Sequence, residues 1–483
     1  MSRSWSQADL FIDREELSIL VQWLASPTRK PLVLRGARQV GKSALVRRLA
    51  HMQGLKLAEV NFEFQPSLSN IFSSGEPDKM VTRLQQALGV RLDAGTLLFL
   101  DEVQASESAF ASLRYFYEKH PEVPVVAAGS LLEFSLSQFQ QSMPVGRVTF
   151  RWIPPISFRD YLKARHAEVL LSAIQDFVEE KDSKIHPEAH DNLLSELARY
   201  VYIGGMPEAM RQAVANESWD SMAASVAEAH SDILLSYRND FYKYRGRIPV
   251  ESLHAVLDAI PILAATSKVK YSNISREIRS DSLKNALRAL EKAGVLRMVF
   301  ATNANGIPLS ASKDTNCFKV LPIDVGLFVS QSFGSQRAER PYTDLFNKWT
   351  QGNVFEQRWL GQIAEILVGQ SLQHSLQSND HLHFWLRESK GAEAELDYVL
   401  QYGTRIIPVE VKAGASGTLR SLHSFMAEKG LPMGVRFDLN APSVQDIDIN
   451  VPIAGGKLRN AKYRLRNFPL YLADWLPELL KRY

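Results

Sequence analysis

Gly36-Ala37-Arg38-Gln39-Val40-Gly41-Lys42-Ser43 decides the fold of the first part of this chain. It is a complete G-x-x-x-x-G-K-[ST] motif. An apolar run, Pro31-Leu32-Val33-Leu34-Arg35, precedes it, and a helical run beginning at Ser43-Ala44 follows. That strand, loop and helix are the context the motif requires. Glycines let the backbone wrap closely, so its N–H groups and the helix N-terminus face phosphate oxygens. Lys42 then reaches the β- and γ-phosphates, and the Ser43 hydroxyl ligates Mg²⁺. Residues Gly36 to Ala44 are therefore expected to hold ATP.

Working outward, Leu97-Leu98-Phe99-Leu100-Asp101-Glu102 is an apolar run ending in two acids. Asp101 at the end of a strand is placed to hold the hydrated Mg²⁺. Glu102 beside it is the expected group to polarise the attacking water, since phosphoryl transfer needs mostly positioning and charge neutralisation. Val123-Pro124-Val125-Val126-Ala127-Ala128 ends at Gly129-Ser130, and Ser130 is the candidate γ-phosphate sensor. A strand-ending turn serine is the equal alternative. Arg147, in Pro144-Val145-Gly146-Arg147, is the candidate arginine finger for its own site or a neighbour's; a solvated loop arginine fits equally well. With LAEVNFEF and RVTFRWI, these runs predict an α/β fold with a parallel sheet and helices on both faces.

Beyond about Ala164 the pattern becomes helical, interrupted by a polar stretch, Glu179–Asn192, expected to be a solvated loop. A Gly204–Pro207 turn separates two helices. Residues from about Val250 to Phe300 read as a short helix, a turn, an amphipathic helix ended by Gly294, and a strand, the order of a winged helix. Lys284, Arg288 and Lys292 recur every four residues there and suit phosphates. Lys268, Lys270, Arg276 and Arg279 lie nearby, and Lys457, Arg459, Lys462, Arg464 and Arg466 suggest a second basic strand. The bland alternative is a set of solvated faces.

The last part returns to mixed structure, with a helix starting near Gly352 and strands LHFWLRE, ELDYVLQ and IIPVEVK. Glu410 and Lys412, two apart on a strand, share a face. A hairpin about Tyr402–Gly403 brings Asp397 near Val409–Glu410. Two carboxylates converging there suit Mg²⁺ or Mn²⁺, with Lys412 positioning water or stabilising phosphorane charge. Glu388, Glu393 and Glu395 are competing ligands. His381 and His383 alternate without a third ligand, which favours a partly exposed strand face over a metal site.

At 483 residues the chain is too long for one core. Its 45% hydrophobic and 23% charged residues are those of a globular protein, and a net charge of +3 leaves partner choice to local clusters. One cysteine, Cys317, excludes an internal disulfide framework and fits a reducing cytoplasm. The polar N-terminus and the lack of long apolar runs predict a cytoplasmic protein with no membrane partner.

GARQVGKS, LLFLDEVQ, AAGS, GRV with PPISFRDYL, YIGGMPEAM, SDILLSYRNDFYKY and the late EVK together resemble a bacterial and archaeal family of AAA-type ATPases. Its members end in a restriction-endonuclease-like PD-(D/E)xK domain. The resemblance spans nearly the whole chain. It implies an ATPase core over 1–165, a helical lid over 166–245, a winged helix over 246–345 and a nuclease-like domain over 346–483. It also implies that Glu356, in GNVFEQRWL, joins Asp397, Glu410 and Lys412. Leu131-Leu132 departs from the serine run that relatives often carry. The expectation is a Mg²⁺-dependent, homo-oligomeric ATPase acting on DNA, branched DNA included, with Mg²⁺ or Mn²⁺ at the second site. The alternative is a nucleotide-dependent regulatory scaffold that binds without cutting.

Overall fold

The computed structural model describes residues 11–73, 76–130, 144, 146–182, 184–216, 219–244, 248–334, 354–376, 381–388, 393–414, 418–452 and 458–482. Contacts divide the chain into two compact units, residues 1–156 with 292–295, and residues 157–291 with 296–483. Among the described residues, no helix is long and apolar enough to cross a membrane.

The first unit is built on five strands: β1 (Leu32–Arg35), β2 (Lys56–Asn61), β3 (Thr96–Asp101), β4 (Val125–Ala128) and β5 (Thr149–Trp152). Their order is β2-β3-β4-β1-β5, and every pairing is parallel. β3 and β4 are buried along their whole length, which explains their unbroken apolar sequence. Val33, Leu98, Leu100, Val125 and Ala127 pack with Leu84, Phe110 and Phe116 from covering helices. Because β4 lies between β1 and β3, the ends of all three strands come out side by side at one edge. Register aligns Leu34 with Ala128 and Leu100 with Ala127.

The second unit begins with helices. Phe158–Ala164, Glu168–Val178, Pro187–Ile203, Pro207–Ala215 and Trp219–Asp240 follow one another. The polar stretch is shorter than expected, because a helix starts at Pro187 and takes in PEAHDN. Proline at the first helical position lacks only an N–H that would have had no partner there. The turn at Gly204 is exacting: its φ is +74°, and an added Cβ would meet Asp324 Oδ1 at 2.2 Å. Asp324 accepts from Gly205 N at 2.6 Å and caps the helix Val325–Phe333 through Leu327 N at 2.8 Å. The helix Phe158–Ala164, expected in the first domain, falls with the second unit, where Tyr161 packs against Tyr200.

Eight strands form the second sheet: β6 (Leu296–Thr302), β7 (Lys313–Pro322), β8 (His383–Arg387), β9 (Ala394–Tyr402), β10 (Arg405–Val411), β11 (Met433–Asp438), β12 (Ser443–Pro452) and β13 (Leu458–Pro469). Their order is β12-β13-β11-β10-β9-β8-β6-β7, with mixed directions. The sheet therefore crosses the expected boundary at 345/346, since β6 and β7 extend strands from the last part of the chain. Helices Val354–Ser375 and Arg420–Lys429 pack against it, with Trp385, Leu396, Val399 and Phe425 in the core. His383 is buried, not partly exposed, at 3% accessibility, and burial lowers its pKa to about 4.

Candidate phosphate site and carboxylate site

The P-loop bends through backbone that side chains resist. Gly36 has φ +140° and Gly41 φ +87°, while exposed Gln39 takes +64°. A Cβ on Gly36 would lie 2.4 Å from the Ile153 carbonyl oxygen, so only glycine fits there. Gly41 begins the helix Lys42–Met52 with no side-chain cap, leaving its first N–H groups for an anion. Ala37 and Val40 are buried, Arg38 and Ser43 half-buried, and Ala44 exposed on the first turn.

Lys42 Nζ donates to Gly36 O at 3.0 Å and Ala37 O at 2.7 Å. Burial lowers its pKa to about 8, against the pull of Glu102 and Asp101. Ser43 Oγ donates to Asp101 Oδ2 at 3.0 Å, and Asn61 Nδ2 reaches the same oxygen at 3.4 Å. Burial, then the neighbouring Glu102, raises the Asp101 pKa. Glu102 takes φ +52°, and its Oε2 accepts from Gln104 Nε2 at 2.6 Å. A buried ammonium bonded to two carbonyls and a carboxylate strained toward protonation both fit a bound Mg²⁺–triphosphate, which would relieve each. Ser130, buried two residues past β4, emerges at the same edge between the loop and Asp101.

Arg147 lies two residues before β5, whose Thr149 is in register with Leu32 at the start of β1, and so about 20 Å along the strands from Gly36. Its Nε pairs with Glu118 at 2.9 Å, so the fold does not bring it to its own phosphate loop. Arg14 was missed. Nearly buried, it donates to Val40 O at 2.9 Å and Pro154 O at 2.5 Å and pairs with Glu16 at 2.7 Å, bracing the loop from behind. A lone arginine in the run before the first apolar helix was its only signal.

In the second unit, the β9–β10 hairpin pairs Tyr402 with Arg405 and Tyr398 with Val409, so Asp397 and Glu410 are adjacent. Asp397 Oδ2 accepts from Val411 N at 2.7 Å, and Lys412 Nζ donates to Glu410 Oε1 at 2.5 Å. Among the described residues, the buried Glu410 Oε2 has no hydrogen-bond partner. Burial and then Asp397 raise the Glu410 pKa to about 8, and burial raises that of Asp397. Burial opposes the Lys412 charge, but Glu410 and Asp397 outweigh it and raise its pKa. An orphaned carboxylate oxygen beside a second carboxylate fits a divalent cation with oxygen ligands.

The Glu356 side chain lies outside the described residues. Nine residues further along the same helix, Glu365 comes to Asp397, together with Glu395; their oxygens lie within 4.8 Å of one another. Gly369 permits this approach, because a Cβ there would meet Tyr398 Oη at 2.2 Å, and that hydroxyl donates to Glu365 O at 2.9 Å. Burial raises the Glu365 pKa to about 7. Glu388 instead pairs with Lys268.

Of the basic residues, Lys284 and Arg288 are exposed on the helix Ser280–Lys292, as is Lys292. On β13, Arg464 pairs with Asp446 at 2.9 Å and Lys462 with Asp448 at 3.5 Å, so β12 neutralises those two; Lys457 lies outside the described residues.

Residues 28–162 match the family described as an AAA domain. Residues 194–337 and 360–453 match two families described as domains of unknown function. No curated protein matches. Among solved structures, a Walker-type ATPase of Pyrococcus abyssi is 16% identical, covering 69% of this chain and 99% of its own, with TM-score 0.42. The Aeropyrum pernix ORC1 protein in complex with DNA is 15% identical, covering 70% and 94%, with TM-score 0.28. The Thermotoga maritima RuvB Holliday junction branch migration motor is 15% identical, covering 60% and 91%, with TM-score 0.28. Motif, sheet order and family match converge: residues 28–162 match an AAA-type P-loop domain.

Proposed function

We propose that this chain is a Mg²⁺-dependent ATPase whose nucleotide cycle directs a DNA-binding, nuclease-like second unit. The observation carrying the first half is the Ser43–Asp101 contact of 3.0 Å beside a lowered-pKa Lys42. Gly36–Ala44 would grip the triphosphate, and Ser43 and Asp101 would hold Mg²⁺, which supplies charge neutralisation on the β- and γ-phosphates. Glu102, once released from Gln104, accepts the proton of the attacking water, and Ser130 reads the γ-phosphate from the end of β4. Arg147, remote from its own loop, acts on a neighbouring subunit's site, which makes the working form an oligomer.

In the second unit, Asp397 and Glu410 would hold Mg²⁺ or Mn²⁺ and Lys412 would offset negative charge on a phosphodiester. Glu356 remains a further ligand candidate. The exposed Lys284 and Arg288 would lie along a DNA backbone. Residues 166–245 and 246–345 serve as lid and winged helix in this reading.

A specific observation favours a second reading, a regulatory scaffold that binds without cutting. Lys462 and Arg464 are already paired, and the acids near Asp397 have resident lysines. Cleavage of linear and branched DNA with Mn²⁺, by the parent chain and Asp397→Ala, separates the two. Cutting that disappears in Asp397→Ala supports the nuclease reading. ATP turnover without cutting or salt-sensitive DNA binding supports the scaffold. ATP turnover that survives both Lys42→Ala and Glu102→Gln would refute the assigned hydrolytic roles.

A further inference from the structure

Lys319 stands in the middle of the carboxylate cluster. It comes from β7, far in sequence from the acids it meets, and is only 6% exposed. Its Nζ lies 2.8 Å from Glu365 Oε1 and 2.5 Å from Glu395 Oε1. The rings of Phe384 and Tyr398 wall the ammonium at 4.9 and 5.9 Å. Glu395 and Asp397 are two apart on β9 and share a face, and Glu365 closes the cage from the helix.

Three carboxylates within 4.8 Å of one another would repel without a cation. Oxygen cages of this kind suit a divalent ion at about 2.0–2.6 Å from each ligand. An ammonium bonded to two of the three oxygens takes up the same space. It supplies one fixed positive charge and three donors on a stem packed against aromatic rings. On the other side of Asp397, the buried Glu410 Oε2 has no hydrogen-bond partner among the described residues, and Lys412 donates to Oε1. The two sides of Asp397 are thus unlike: one is filled by a lysine, the other offers a ligand atom.

We infer that Lys319 takes the place of a second divalent cation, so that the Asp397–Glu410 site works with a single metal ion. The single-ion count rests on the metal reading of Asp397 and Glu410 given above; the placement of Lys319 does not. The residue that sets the count lies in the segment 194–337, and the acids lie in the segment 360–453. Neither segment alone would contain the completed site.

The test is Mn²⁺ stoichiometry of the full-length, nucleotide-free chain, read from the electron paramagnetic resonance of free Mn²⁺. A Ser43→Ala background removes the P-loop contribution. The parent should bind one ion, lost in Glu410→Gln and kept in Glu365→Gln and in Glu395→Gln. Lys319→Gln should bind two, and Lys319→Arg one. Should Lys319→Gln fold only when Mn²⁺ is added, the ion has replaced the ammonium and the inference holds. A folded Lys319→Gln that binds no more than the parent overturns it. So does a Lys319→Gln chain that stays unfolded in Mn²⁺ while Lys319→Arg folds, or a parent that loses its ion in Glu365→Gln. A parent binding none, with one gained in Lys319→Gln, would remove the metal reading of Glu410 and keep the role of Lys319.

Discussion

Raising the pH should weaken nucleotide binding through Lys42 alone, by an amount the structure sets. Burial brings its pKa from an ordinary 10.5 to about 8 in the nucleotide-free chain. A bound triphosphate needs the ammonium, so binding above that pH must draw a proton from solution. The sign follows from linkage. Between about 8 and 10.5 the unfolded chain binds more protons at this residue than the folded one, so the cost of burying the charge falls as pH rises. Nucleotide affinity moves the other way, because the form that binds is being depleted. With the pKa at about 8, the charged fraction falls about 25-fold between pH 7.5 and 9.5, or about 2 kcal/mol of binding energy. Isothermal titration calorimetry in buffers of different ionisation heats should record uptake of about 0.9 proton per nucleotide at pH 9. Lys42→Arg should bind less tightly, since its guanidinium is misshapen for the loop, but its affinity should not change over this pH range. A parent affinity that stays level from pH 7.5 to 9.5, with no proton uptake, would refute the argument.

Other outcomes follow from single contacts. Gly36→Ala drives a Cβ into the Ile153 carbonyl oxygen and should cost at least about 1–3 kcal/mol in thermal or urea unfolding, with nucleotide binding lost; unchanged stability would contradict the loop geometry. Arg14→Ala strands the Glu16 charge and the Val40 and Pro154 carbonyls, a loss of about 3–5 kcal/mol by urea titration, and Arg14→Ala with Glu16→Gln should recover part of it. Glu102→Gln should keep ATP binding and slow hydrolysis by about 10²–10⁴-fold in a steady-state phosphate-release assay. Equal turnover in the two proteins would move the base elsewhere.

The first unit was legible because its determinants are local. Gly36–Ser43 states its own conformation, and β1, β3 and β4 are buried almost throughout, so each shows as an apolar run whatever its neighbours. β7, β11 and β12 were not read. The outer stretch of β7 and nearly all of β12 are exposed and carry little apolar signal. The hairpin that joins Asp397 to Glu410 was readable from its short turn at Gly403. The cage beyond it was not, since Lys319 on β7 and Glu365 on the helix Val354–Ser375 come from elements well before β9 in the sequence. Two hints were present. Lys319 is one charge within the apolar CFKVLP, and Glu365 is one acid within IAEILVG. A lone charge in a run that must be buried needs a partner, although sequence alone does not name it. Arg147 failed to reach its own loop for a topological reason: it precedes its strand, whereas phosphate groups gather where parallel strands end.

Every role assigned to Lys42, Ser43, Asp101 and Glu102 requires that the P-loop grip a triphosphate. Calorimetric titration of the full chain with MgATP should give saturable heat with about one nucleotide bound per chain, abolished in Lys42→Ala with the fold intact. Heat that is absent from the parent at millimolar ATP, or undiminished in Lys42→Ala, would contradict it.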